Sequence, residues 1–269
     1  MATFRKSVNL FPRVGIAVIF IVISLSGIFG KAYAHPEDDL CEPGMDIGQE
    51  LCRELSELNS SEADLFHPLK DEAGNIRSPL GSARFFLEIG VRHILPGGLD
   101  HILFVLALFL AAAGLRSLVL QISVFTVAHT VTLGLTAARV IEPPPAIVEP
   151  LIALSIAVVA LETLFRAEQE RWKFLIIFGF GLFHGMGFAG FVREIGLPPE
   201  QFWPSLIGFN IGVEIGQLSV VLAAALLCRP VRQALAQTNI PYRTAVVVPA
   251  SLAIAMTGLW WFVTRSLGL

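Results

Sequence analysis

From residue 98 onward the chain alternates apolar blocks with short polar joints, the blocks falling at 98–114, 117–138, 146–165, 173–193, 203–227 and 243–264. Each is near the roughly 20 residues a helix needs to cross a bilayer. None alternates with the period of two that a barrel strand requires. The pattern therefore predicts an all-α, polytopic membrane helix bundle with six transmembrane helices over residues 98–265. Before the first block, Arg84, Glu88 and Arg92 recur every fourth residue among Phe85, Phe86, Leu87, Ile89 and Val91. That spacing predicts an interfacial helix with one charged stripe over residues 83–97, broken by Pro96-Gly97-Gly98.

The N-terminal pattern differs. Arg5, Lys6 and Arg13 precede an apolar run from Val14 to Phe29, followed by the small-x-small triplet Ala32-Tyr33-Ala34. Residues 1–34 read as a cleaved signal peptide, with an uncleaved signal anchor as the alternative. Residues 35–82 form an acidic exported segment, with 12 acids against three bases, Arg53, Lys70 and Arg77. Cleavage would expose His35, whose amine and ring make it an accessory metal-binding candidate. Cys41 and Cys52, with ten residues between them, could form a disulfide on the oxidising side, whereas Cys228 reads as packing.

Composition narrows the class. Hydrophobic residues make up 54% and charged residues 15%, with a mean hydropathy of +0.69. A soluble domain carries roughly 25% charge, so a soluble globular fold is excluded. No basic stripe tracks a phosphate backbone, so no nucleic acid is expected. With the N-terminus exported, the cytoplasmic joints would hold Arg116, Arg166, Arg171, Lys173, Arg229, Arg232 and Arg243, against Arg139, Arg193 and Arg265 outside. That asymmetry supports a multi-pass protein of a bacterial-type inner membrane. Its expected partners are the lipid bilayer and a metal ion; a homo-oligomer is left open.

Ionisable groups within spans are costly unless paired or functional. Here Asp100-His101 opens the first span, His129 lies in the second among Thr126 and Thr130, and His184 lies in the fourth. Asn210, Glu214 and Gln217 share one face of the fifth, by their i, i+4, i+7 spacing. At about 1.5 Å per residue, Asp100 and His101 fall at the exported mouth, and His129, His184 and Glu214 near mid-membrane. His101, His129, His184, Asp100 and Glu214 are thus candidates for a divalent transition metal such as nickel, cobalt or zinc. Thr126, Thr130, Glu149, Ser155, Asn210 and Gln217 are candidates for a pathway or second shell, although Glu149 before Pro150 also suits an N-cap. Glu162 reads as an ion pair with Arg166. Gly208, Gly212 and Gly216, and likewise Gly181 and Gly185, form small-residue stripes for close helix packing. No HExxH, CxxC pair, GxSxG or phosphate loop occurs.

Five segments in order carry a resemblance: His93-Ile-Leu-Pro-Gly-Gly-Leu-Asp100-His101, Phe125-Thr-Val-Ala-His129, Val148-Glu149-Pro-Leu-Ile-Ala-Leu-Ser155, Phe183-His184-Gly-Met-Gly and Phe209-Asn210-Ile-Gly-Val-Glu214-Ile-Gly-Gln217. Together, over residues 84–227, they resemble the HupE/UreJ family of hydrogenase and urease accessory membrane proteins, in its second branch. The resemblance implies a permease for nickel or cobalt, with His93, Asp100, His101 and His184 matching the family's metal-contacting elements. Hydrogenase-linked members tend to carry a second His where this chain reads Gly187-Phe188-Ala189. A transition-metal permease or uptake facilitator, not an enzyme, is the leading expectation. The alternatives are an intramembrane zinc-dependent hydrolase, with Asp100 or Glu214 activating water, and a non-transporting accessory protein.

Overall fold

In the computed structural model, residues 77–165, 170–188 and 199–269 are described. The proposed signal peptide, most of the acidic segment, His35 and the Cys41–Cys52 pair lie outside them. Among the described residues seven α-helices follow in order: α1 Pro79–Ile94, α2 Leu99–Ala111, α3 Leu115–Ala137, α4 Pro145–Phe165, α5 Glu170–Gly187, α6 Phe202–Ala236 and α7 Val248–Leu267. A 3-10 turn, Pro199–Gln201, leads into α6, and a π-helical turn, Arg243–Val247, leads into α7. No strand occurs among the described residues.

Lengths decide which helices can span. Among the described residues, α3, α4, α6 and the run Arg243–Leu267 are each long and apolar enough to cross a membrane. Helix α2 has 13 residues, about 20 Å at 1.5 Å per residue, short of a hydrocarbon core of about 30 Å. It is long enough to cross only together with α1, as a pair bent by 72°. The apolar part of α5, Trp172–Gly187, is also short. The first predicted block is helical over Leu99–Ala111 and the fourth over its described part to Gly187, but neither described helix is a full span alone.

Helix α1 is amphipathic, as the sequence predicts, and Ser78 caps it by accepting from the Gly81 amide at 3.1 Å. Its charged stripe is real: Arg92 and Glu88 pair at 2.7 Å and are largely exposed. Its opposite face packs along α6, where the small-residue stripe removes every side chain in the way. A Cβ on Gly208, Gly212 or Gly216 would come within 2.1 Å of Ala83 O, 2.1 Å of Leu87 O or 2.7 Å of Ile94 Cβ. The order of these contacts makes α1 and α6 run in the same direction. Gly181 and Gly185 do the same for α5 against α3, where a Cβ would meet Phe125 O at 2.5 Å and His129 O at 2.2 Å. Gly258 of α7 faces Ala153 and Ala157 of α4 in a third such seam.

Candidate metal centre

The bend between α1 and α2 creates the site. His93 ends α1 and His101 sits in the first turn of α2, with Leu95–Gly98 between. Gly98 is needed for the approach, since a Cβ there would lie 2.3 Å from His93 O. The turn folds the two imidazoles to a centroid distance of 4.8 Å. His129, from the middle of α3, completes a group in which one ligand atom from each of His93, His101 and His129 lies within 4.8 Å of the others. His184 of α5 joins from the other side, its ring 5.0 Å from that of His101. Four helices thus deliver four imidazoles to one place, and His101, His129 and His184 are buried.

Hydrogen bonding orients the outer ring nitrogens. His184 Nδ1 lies 2.9 Å from the Phe180 carbonyl, which can only accept, so Nδ1 carries the proton. His129 Nδ1 lies 3.3 Å from Asn210 Oδ1. Asn210 Nδ2 donates to Leu206 O at 2.8 Å, so the amide oxygen is the atom left to accept from His129. Both rings therefore present an unprotonated Nε2 inward. The Nε2 atoms of His101, His129 and His184 are buried and have no hydrogen-bond partner among the described residues. Burying such lone pairs unmet costs on the order of 1–3 kcal/mol each, the pattern expected of a ligand set. The remaining walls are aromatic: Phe104 and Phe125 against His184 at 5.2 and 4.9 Å, Phe188 and Phe209 against His93 at 4.2 and 5.7 Å.

The two carboxylates of the predicted set are engaged elsewhere. Asp100 pairs with Arg265 of α7 at 3.1 Å. Glu214 accepts from Ser123 at 2.7 Å, one turn along α6 from Asn210. The sequence reading placed His101 at the mouth and Glu214 with the deep histidines; the structure instead puts His101 and His93 with His129. Depth counted along straight, separate spans cannot anticipate a helix bent by 72°.

The polar residues beside the cluster tie α3 to α6. Thr126 donates to Gln217 Oε1 at 3.1 Å and also lies 3.1 Å from Ile122 O, while Thr130 bonds back to Thr126 O at 2.7 Å. Ser155 bonds back to Ile152 O at 2.6 Å within α4 and is fully buried. Glu149 is no N-cap, because α4 begins at Pro145 and Pro150 lies inside it. Its carbonyl instead receives Arg265 Nη1 at 3.4 Å. Glu162 pairs with Lys173 at 3.6 Å, across the joint to α5. Arg166, its sequence-predicted partner, lies outside the described residues. Arg265 is the site residue the sequence reading missed, counted there as a terminal base; its position one turn from the end of an apolar span was the available signal.

Geometry defines the class: a multi-pass helical membrane protein with a buried, phenylalanine-walled imidazole cluster. The chain matches the family described as HupE / UreJ protein over residues 70–265 and belongs to it. That family is associated with nickel/cobalt uptake or hydrogenase/urease maturation. No curated protein and no solved structure matches the chain.

Proposed function

We propose that the protein is an inner-membrane facilitator for a divalent transition metal, nickel or cobalt, which passes through or rests at the His93, His101, His129 and His184 cluster as cargo. The observation that supports this most directly is the gathering of one ligand atom each from His93, His101 and His129 within 4.8 Å of one another, with the His184 ring 5.0 Å from that of His101, in an apolar surround. Neutral imidazole suits these borderline ions, and the Nδ1 bonds of His129 and His184 fix the rings as second-shell contacts do. In this reading residues 35–82 face the exported side and gather cations at the mouth.

The test is metal binding and uptake by purified protein in nanodiscs and proteoliposomes. Wild type should bind one Co²⁺ or Ni²⁺ and admit it to vesicles, and His101→Ala should lose both while remaining folded. Binding and uptake unchanged in single alanine variants at all four histidines would rule the cluster out.

A further inference from the structure

We propose that Arg265 is a tethered cation that occupies the carboxylate of Asp100 and competes with the incoming metal for it, so that Arg265 sets the affinity of the cluster. This rests on the metal-carrier reading above. Asp100 precedes His101 in the first turn of α2, and both Asp100 and Arg265 lie within electrostatic reach of His184. Four neutral imidazoles offer lone pairs but no charge. A doubly charged ion among Phe104, Phe125, Phe188 and Phe209 would therefore keep its full charge in an apolar surround, which is costly without a counter-charge. The carboxylate next to the cluster along the chain is Asp100, and it is neutralised by Arg265.

The contact is built to exchange. A single nitrogen, Nη2, serves both carboxylate oxygens at 3.1 and 3.2 Å. The strong form uses two nitrogens in parallel at roughly 2.7–2.9 Å. The other guanidinium contacts are a 3.4 Å bond to Glu149 O and the face of Trp261 at 5.2 Å, both of which can hold the cation when it leaves Asp100. The two side chains are only 9% and 17% exposed, so either charge left alone is poorly solvated and Asp100 would draw a replacement cation. Metal binding and the Arg265–Asp100 pair are then linked equilibria, and removing one favours the other.

The measurement is Co²⁺ affinity by calorimetry on full-length protein in nanodiscs, with thermal unfolding alongside. Arg265→Gln should bind Co²⁺ at least about five-fold tighter, within the usual range of coupled sites. Asp100→Asn should bind more weakly, and Arg265→Lys should stay near wild type. A pair that merely clamps α2 to α7 predicts another pattern: loss of thermal stability in both neutral variants, no gain in affinity, and recovery of wild-type binding in the charge swap Asp100→Arg with Arg265→Asp. Under competition the swap puts a cation beside His101 and binding stays weak even if folding recovers. If wild type binds Co²⁺ and folded Arg265→Gln binds it no tighter, the competing role is overturned while the cluster stands. If neither binds, the carrier reading itself fails and takes this inference with it.

Discussion

At the residue scale, the chemistry of the cluster is set by which nitrogen of each imidazole is already occupied. Asn210 fixes His129 through Nδ1, and nothing in that role requires Asn210 to touch the metal. Asn210→Leu should therefore weaken Co²⁺ binding by about 10–100-fold, the usual cost of a lost second-shell contact, while insertion is unaffected. Equilibrium dialysis of the variant beside wild type checks this, and an unchanged affinity would remove the orienting role. Proton competition follows from the same donor set. Imidazole must be neutral to bind metal, so affinity should fall once the pH is low enough to protonate the cluster. An affinity unchanged down to the lowest pH at which the protein stays folded would argue against histidine ligation. The residue types were legible from sequence because charged or ligand-type groups inside apolar spans stand out. Their assembly was not, since Arg265 lies 165 positions from Asp100 and no local pattern announces that pairing.

At the element scale, glycine placement decides which helices touch. The small-residue stripes were visible in the sequence as i, i+4 repeats; what they packed against was not, because a stripe carries no information about its partner. Helix α5 offers a sharp comparison. Gly181 abuts the α3 backbone, and a Cβ there would come 2.5 Å from Phe125 O, whereas a Cβ on Gly179 meets nothing within 4 Å. Gly181→Ala should thus destabilise the protein by about 1–3 kcal/mol through overpacking and displace His184. Gly179→Ala, two residues away, should be neutral or stabilising by up to about 1 kcal/mol, since alanine is the better helix former. Thermal unfolding of the two variants, with Co²⁺ affinity measured on each, separates the seam from general helix effects. Equal destabilisation by both would show that the α3–α5 seam is not what Gly181 provides. The interfacial helix is the element whose environment changed most: α1 keeps the amphipathic pattern read from sequence, yet its apolar face lies on α6. An apolar stripe is satisfied equally by lipid and by protein, and only the three glycines of α6 tip the balance.

At the scale of the whole molecule, the cross-links sort the helix ends into two groups. Asp100 at the start of α2, Glu149 near the start of α4 and Arg265 at the end of α7 meet at one end of the bundle. At another, Arg243 reaches the Thr163 and Leu164 carbonyls near the end of α4, and Lys173 meets Glu162. These are the same groups that the positive-inside count assigns to the exported and cytoplasmic sides respectively, reached without using charge statistics. The shared ends make α4 and α7 antiparallel neighbours, although among the described residues only four helices, or five if the bent α1–α2 pair is one span, are long and apolar enough to cross. It follows that reporters fused within the 141–144 joint and after Leu269 should be exported, and a reporter in the 238–241 joint should be cytoplasmic. Alkaline phosphatase and green fluorescent protein fusions distinguish the two, since the first is active only outside and the second fluoresces only inside. Should the joint at 141–144 and the C-terminus report opposite sides, α4 and α7 could not share the end at which Arg265 meets Glu149. Reversal of all three reporters together would preserve the bundle but place the Asp100 mouth on the cytoplasmic face. The cluster would then receive metal from inside the cell, and export would become the direction to measure.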